Sequence, residues 1–195
     1  MYYNLFVLAL ETGMRIGELM ALTWNDVDFE NRLIYVKYTL CYFSKDGKYK
    51  FELHKPKTKK SKRTIPLTER AVRALKSQLI QKKEIVLKRR EPMVGYEDLV
   101  FVTKNNCPTQ QFIVGACLRE IIKKIEKHEN LDFKEITPHS LRHIFATRCI
   151  ESGMNPKTLQ VILGHAKLQM TMDLYCHVTD ETSYEEMAKY ESLCI

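Results

Sequence analysis

Paired cysteine motifs, long apolar runs and low-complexity tracts are all missing from this sequence. The six cysteines never fall in a C-x-x-C arrangement, and Cys117 and Cys149 lie within helical patterns. The cysteine pattern therefore predicts reduced thiols in a cytosol rather than a disulfide framework or a zinc knuckle. No apolar run is long enough to span a membrane, and no secretory signal is present. Without repeats or low-complexity tracts, neither a solenoid nor a disordered chain is expected.

What the sequence does contain is the composition of an ordinary folded domain with an excess of positive charge. Its 195 residues predict one domain, or one domain with a tail. A net charge of +7 and a pI of about 9.0 favour a polyanionic partner, nucleic acid first and an anionic membrane second. The apolar residues 2–10 predict a buried helix cut near its beginning, so we expect the chain to be a piece of a longer protein.

The hydrophobic periodicity predicts an α+β fold that is mostly helical with a small three-stranded antiparallel sheet. Helices are expected over residues 2–10, from about 15 to 22, from Thr68 onward, from Thr109 onward and over about 183–193. Strands are expected over 33–43, 49–57 and 64–67, with a hairpin turn at Asp46-Gly47. In the helix after Thr109 the pattern places five residues inward, namely Phe112, Ala116, Ile121, Ile122 and Ile125.

The stretch 137–175 gathers most of the chemically active side chains. Thr137 as N-cap and Pro138 at the first helical position predict a helix that begins there. His139 and Arg142 are three residues apart and therefore share one face of it. The interior is expected to receive the remaining apolar face, which consists of Leu141, Ile144 and Phe145.

A second helix is predicted to start at Asn155 and Pro156 and to stop at Gly164. His165 then lies just past the end of this helix, and Tyr175 follows ten residues later. With Arg15 far upstream, these side chains indicate a site that handles a phosphate.

Four motifs in this order and spacing resemble the tyrosine recombinase (phage integrase) family, and are most similar to integrases of phages and conjugative transposons. The motifs are Thr12-Gly13-Met14-Arg15-Ile16-Gly17-Glu18-Leu19, His139-Ser-Leu-Arg142-His143, Leu163-Gly164-His165 and Tyr175. The resemblance spans residues 6–178.

Arg15 and Arg142 are the expected phosphate clamps. A guanidinium is planar and permanently charged, so two of them can neutralise the charge that grows on a pentavalent phosphorus. The alternative is a surface arginine or a salt bridge, for instance between Arg15 and Glu18. In the family, the position of Glu18 orients the clamp.

His139 and His165 match the active-site pair of the family, where they donate hydrogen bonds to the phosphate and move protons. His143 matches a supporting position. His139 and His143 also have the spacing of a zinc pair, but no Glu follows His139, and Arg142 would repel a cation on that face. No metal is expected.

Tyr175 is the expected nucleophile because the family places its tyrosine nine or ten residues after the Leu-Gly-His motif. A phenol with a pKa near ~10 is scarcely ionised at neutral pH and needs neighbouring cations or a base to attack phosphorus. The alternative for Tyr175 is an aromatic side chain that packs on a helix.

The basic segment 55–63 matches the β-hairpin on which the family carries a lysine that protonates the leaving 5′ oxygen. Lys57 is the best match for this general acid, with Lys55, Lys59 and Lys60 as competitors. DNA-phosphate contacts are expected from the hairpin, namely Lys55, Lys59, Lys60, Lys62 and Arg63, and from the cluster 88–90.

The resemblance implies a catalytic domain over residues 1–180 and a tail helix over 181–195 that docks on its own domain or on a neighbouring protomer. The core-binding and arm-binding domains of the family are not in this chain, so weak DNA binding is expected. The implied activity is site-specific DNA recombination through a 3′-phosphotyrosyl intermediate, with no cofactor, no ATP and no metal.

The implied partners are double-stranded DNA and accessory DNA-bending or excision factors. The implied assembly is a tetramer on DNA that is a monomer when free, in a bacterial cytoplasm and without a membrane. Three alternatives stay open from the residues: a type IB topoisomerase, a noncatalytic DNA-binding module, and a metal hydrolase that uses His139 and His143.

Overall fold

The computed structural model describes residues 2–55, 62–88, 90–133, 135–178 and 191. These residues form a mostly helical α+β fold, as predicted. The helices are α1 (Tyr3–Thr12), α2 (Ile16–Met20), α3 (Glu69–Leu87), α4 (Gln111–Glu129), α5 (Pro138–Glu151), α6 (Pro156–Leu163) and α7 (Gln169–Val178). The strands are β1 (Val27–Asp28), β2 (Leu33–Val36), β3 (Thr39–Lys45), β4 (Lys48–His54) and β5 (Arg63–Pro66). Within the described ranges, no helix is both long and apolar enough to cross a membrane.

The apolar helix α1 lies at the centre of the fold, between α3 and α5. Seven of its ten residues are buried, which explains why its sequence shows little amphipathic pattern. The helix ends where Gly13 adopts a left-handed conformation with φ of 60°, as the Thr12-Gly13 pair predicts. This turn leads directly to Arg15, the N-cap residue of α2.

The sheet has three antiparallel strands, but the segments that form them differ from the predicted ones. The stretch 33–43 is divided at residues 37–38, so that β2 pairs with β5 while β3 pairs with β4 in a separate hairpin. The third strand of the sheet is β1, from a segment for which no strand was predicted. Alternation of apolar residues continues through the break, and therefore it did not reveal where the strand changes partner.

Helix α3 begins after Thr68, whose hydroxyl accepts a hydrogen bond from the Ala71 amide, as predicted. Helix α4 begins at Gln111 with Gln110 as its N-cap residue, so Thr109 does not cap it. The buried Thr109 hydroxyl instead bonds the Tyr2 hydroxyl at 2.8 Å.

The predicted inner face of α4 is wrong. Val114 and Leu118 are buried, whereas Phe112 is 74% exposed and both Ile121 and Ile125 are exposed; Ala116 and Ile122 are partly buried. Apolar residues occur around most of this helix, so periodicity alone did not decide which face meets the core.

Helices α5 and α6 have the predicted caps at Thr137 and Asn155, and α6 ends at a left-handed Gly164. In α5, Leu141 is buried as predicted and Phe145 is partly so, but Ile144 is exposed. The C-terminal parts of α5 and α6 share a small second core with α7. The expected tail helix over 183–193 falls outside the described residues, apart from residue 191.

Candidate active site

A pocket of about 340 Å³ lies between the start of α2, helix α5, the end of α6 and one face of α7. Five of the predicted site residues line it together with four apolar side chains. The lining residues are Arg15, His139, Arg142, His143, Ala146, Leu163, His165, Met170 and Leu174. The pocket therefore combines two guanidinium groups and three imidazoles that are up to 150 residues apart in sequence.

Arg142 is the buried cation of the pocket, with 5% of the residue exposed. Its Nη1 donates to the Gly13 carbonyl at 2.7 Å and its Nη2 donates to the Leu163 carbonyl at 2.6 Å. Burial, followed by the charge of Arg15, lowers the pKa of Arg142 to about 9, so the group is charged at neutral pH. Both of these partners are neutral carbonyls, which fix the guanidinium without cancelling its charge.

Arg15 approaches the pocket from the N-cap position of α2 and is more accessible, with 41% of its side chain exposed. Its Nη1 lies 3.0 Å from Glu18 Oε1, and its backbone amide donates to Glu18 Oε2 at 2.9 Å. The ion pair proposed as an alternative for Arg15 therefore exists, and Arg15 lines the pocket as well. Glu18 orients this arginine by both contacts.

Arg63 is not exposed as Lys55 and Lys62 are, and its predicted contact with DNA phosphates is corrected. The residue is only 8% exposed. Its Nη1 and Nη2 bond the two carboxylate oxygens of Glu18 at 3.0 and 2.8 Å, and its Nε donates to the Ile162 carbonyl. The bidentate pair with the buried carboxylate and the bond to the Ile162 carbonyl give the buried guanidinium its hydrogen-bond partners.

Glu18 therefore joins two arginines. Burial raises the pKa of its carboxyl, but the hydrogen bonds and charge of Arg63, followed by those of Arg15, hold that pKa below the ordinary value. Glu18 is consequently an anion in the interior. Through Arg63 it connects the start of α2 to the end of α6, where His165 follows.

His139 and His143 lie one turn apart on α5, and their ring centroids are 4.6 Å apart in an edge-to-face arrangement. Burial, then His143, Arg142 and Arg15, lower the pKa of His139, which keeps its imidazole neutral at pH 7. In the described part of the chain, no three His, Cys, Asp or Glu side chains come together to hold a metal.

His165 is the most buried of the three imidazoles, with 9% of the residue exposed. Burial, followed by the charges of Arg142, Arg15 and Arg63, lowers the pKa of His165 to about 4, so the ring is neutral at pH 7.

Two buried neighbours that the sequence did not single out hold His165. The Thr171 hydroxyl lies 2.9 Å from His165 Nδ1, and the Gln160 side chain donates to the His165 carbonyl at 3.2 Å. Both contacts depend on how α6 and α7 pack together, and no spacing pattern in the sequence indicates them.

Tyr175 is not among the residues that line the pocket. Its hydroxyl donates to the Met154 carbonyl, and its ring packs on the second core with Phe145, Met154 and Leu174. Burial, followed by the Cys149 thiol, raises the pKa of Tyr175, the opposite of the expected activation by cations. Helix α7 presents Met170 and Leu174 to the pocket instead.

The basic hairpin is described only at its ends. Lys55 and Lys62 are exposed, whereas Lys57, Lys59 and Lys60 lie outside the described residues. In the cluster 88–90, Lys88 is exposed, and Arg90 bonds the carbonyl of Lys104 and the side chain of Asn105.

A model of the phage integrase family matches residues 1–182 of this chain. The chain belongs to the phage integrase family. The resemblance of its four motifs is thereby confirmed.

Several integrases and recombinases are similar to this member of the family in sequence. The transposase of transposon Tn916 from Enterococcus faecalis is 37% identical over 187 residues, which cover 96% of this chain and 45% of that protein. A XerC-like tyrosine recombinase from Caldanaerobacter subterraneus subsp. tengcongensis is 32% identical, over 89% of this chain and 45% of its own length. The chain thus spans about half the length of the curated relatives it matches.

Solved structures of the family superpose on nearly the whole chain. The Tn1549 transposon integrase in complex with transposon right end DNA gives a TM-score of 0.83 at 36% identity, covering 96% of this chain and 58% of that one. The XerA recombinase gives a TM-score of 0.68 at 27% identity, covering 96% of this chain and 57% of that one.

Proposed function

We propose that this chain is the catalytic part of a site-specific DNA recombinase that breaks and rejoins DNA strands through Tyr175. The pocket carries the proposal, because it places the exposed Arg15 and the buried, charged Arg142 on one small concave surface. Two guanidinium forks match the non-bridging oxygens of a phosphodiester. Membership of the family supports the reaction type, and the DNA-bound Tn1549 integrase supports DNA as the substrate.

In the proposed reaction, a bond forms between the Tyr175 oxygen and the scissile phosphorus while the bond from phosphorus to the 5′ oxygen breaks. The products are a 3′-phosphotyrosyl ester and a free 5′ hydroxyl. Neutral His139 takes the phenolic proton. The leaving oxygen takes a proton from the general acid, for which Lys57 remains our assignment. Since the ester keeps the energy of the broken bond, a 5′ hydroxyl from another duplex reverses the step without ATP.

Tyr175 must move for this attack to occur. Its hydroxyl has to leave the Met154 carbonyl and enter the pocket that Leu174, its neighbour on α7, already lines. The same movement would bring the phenol near Arg15 and Arg142, which favour its ionised form. The Tyr175 hydroxyl would therefore be activated only when it has entered the pocket.

The test is an SDS-resistant protein–DNA adduct formed by the 195-residue chain on nicked suicide duplexes from a sequence-randomised pool. Tyr175→Phe should abolish the adduct and leave DNA binding unchanged, since only the phenolic oxygen is lost. Tyr3→Phe alters an exposed tyrosine on α1 and serves as the control. An adduct that persists in Tyr175→Phe would refute the proposal.

We also propose that the DNA-bound form is a tetramer and the free chain a monomer, acting in a bacterial cytoplasm. Exchange between two duplexes cuts every one of their strands, and each cut consumes one nucleophile, which argues for one protomer per cut strand. Residues 1–180 would form the catalytic domain, and 181–195 a tail that docks in cis or on a neighbouring protomer.

A further inference from the structure

The hydroxyl of Thr171 forms a single described hydrogen bond, and its partner is the ring of His165. Thr171 is fully buried at the start of α7. Its Oγ1 lies 2.9 Å from His165 Nδ1. Because one of these two atoms must supply the hydrogen, the bond determines where the proton of a neutral His165 ring resides.

The two arrangements differ in what they leave unsatisfied. If Nδ1 carried the proton, Thr171 Oγ1 would accept it, and the hydrogen of the hydroxyl would lack an acceptor among the described residues. A buried donor in that state costs about 1–3 kcal/mol. If Nδ1 is unprotonated, the hydroxyl donates to it and both groups are satisfied. The second arrangement is favoured.

We propose that Thr171 is a positioning residue that donates its hydroxyl hydrogen to His165 Nδ1 and thereby holds the neutral imidazole as the Nε2–H tautomer. His165 lines the pocket, and Nε2 is on the opposite side of the ring from the bond to Thr171. We therefore take Nε2 to be the nitrogen that faces the pocket. In this tautomer, His165 presents a hydrogen-bond donor to an anion.

This inference rests on the proposed function, since it gives His165 the role of donor to a phosphate oxygen. Only two forms of an imidazole can donate from Nε2, namely the charged ring and the Nε2–H tautomer. The charged ring is disfavoured first by burial and then by the cations around His165, which are Arg142, Arg15 and Arg63. Without Thr171 as donor, the Nε2 lone pair of a neutral ring could face a phosphate lone pair, and that contact is repulsive.

The first test is the nitrogen NMR spectrum of the free chain labelled with 15N-histidine at pH 7, in which the two neutral tautomers give separate signals. The His165 signal is assigned as the one lost in His165→Gln. The wild type should show the Nε2–H tautomer. Thr171→Ser should keep it, and Thr171→Val, which has nearly the same shape without a donor, should shift His165 toward a mixture. Thr158→Val, at an exposed position of α6, should change nothing.

The result that overturns the inference is an Nδ1–H tautomer in the wild type, or a Thr171→Val spectrum identical to that of the wild type. The second measurement is the rate of adduct formation, which should fall about tenfold in Thr171→Val and recover in Thr171→Ser. The NMR experiment needs neither DNA nor activity. An absent adduct in the wild type would therefore count against the proposed function, while the tautomer result would stand by itself.

Discussion

Glu18 is the residue on which the geometry of the cationic pocket depends most. One buried carboxylate binds the Arg15 backbone and side chain and both terminal nitrogens of Arg63. Glu18→Gln removes the charge that stabilises the buried Arg63 guanidinium. We expect a loss of about 3 kcal/mol in the free energy of unfolding, measured by urea denaturation, because removing one partner of a buried pair is costly.

An exposed ion pair provides the matched control for this change. Glu69 lies 2.6 Å from Arg32, and both side chains are more than half exposed. Glu69→Gln should cost less than about 1 kcal/mol, since solvent screens such pairs. Equal losses for the two variants would contradict the structural role assigned to Glu18.

The low pKa of His165 makes the stability of the chain depend on pH. Well above pH 6.5 the ring is neutral in both the folded and the unfolded chain. As the pH falls from 6.5 to about 4, the unfolded chain takes up a proton that the folded chain does not. The free energy of unfolding should therefore decrease by about 3 kcal/mol across this window.

The measurement is a series of urea denaturation curves between pH 7 and pH 4.5, a range above the pKa of Glu18. His165→Asn should remove most of the change in the free energy of unfolding with pH. The smaller part that remains comes from His139, whose pKa is also lowered. If the variant retained the full slope of the wild type, the pKa shift of His165 would not be its source.

At the scale of elements, the turn between α1 and α2 places both arginines of the pocket. Gly13 has a φ of 60°, and a Cβ atom there would lie 2.3 Å from the Phe145 ring on α5. The Gly13 carbonyl also accepts from Arg142. Left-handed backbone strain alone costs about 1–2 kcal/mol, and Gly13→Ala should lower the free energy of unfolding by more than this because of the contact with Phe145. It should also slow adduct formation, because Arg142 is displaced.

Gly153 separates the backbone strain from the contact with Phe145, because it has a φ of 75° and no atom within 4 Å of a Cβ built on it. Gly153→Ala should therefore show the backbone strain alone in thermal or urea unfolding. A loss as large as that of Gly13→Ala would mean that contact with Phe145 contributes nothing.

The helices of the fold were largely predictable because their boundaries are encoded locally. Thr68, Thr137 and Asn155 cap helices, and Gly13 and Gly164 end them, through contacts within a few residues. The strand pairing was not predictable, since the choice of β5 as partner of β2 depends on packing between distant segments.

In the site, too, residues in sequence motifs could be predicted, whereas contacts between distant segments could not. Arg15, His139, Arg142 and His165 were found from motif order, and the structure brings them together. The burial of Arg63 could not be found, because its partner Glu18 is 45 residues away and Arg63 ends a run of basic residues in the sequence. Tyr175 packs on the second core, which is the alternative that the sequence left open for it, and its contact with the Met154 carbonyl follows no local pattern.

At the scale of the whole molecule, the net charge of +7 predicts DNA binding that weakens steeply with salt. Lys62 is exposed beside the basic segment, so Lys62→Ala should reduce the slope of log affinity against log salt by about 1, equally for different DNA sequences. Lys83→Ala removes the same charge from an exposed position of α3 and is the control. If Lys62→Ala and Lys83→Ala gave equal salt slopes, Lys62 would not contact the DNA.

The central claim is that the Tyr175 oxygen becomes the carrier of the broken DNA strand. The most direct measurement is tandem mass spectrometry of the adduct after nuclease and trypsin digestion. Tyr175 and Tyr184 fall in the same tryptic peptide, between Lys167 and Lys189, so fragment ions must separate them. A 3′-linked phosphonucleotide on Tyr175 is expected in every adduct peptide. A phosphonucleotide on Tyr184, or on any other side chain, would contradict it.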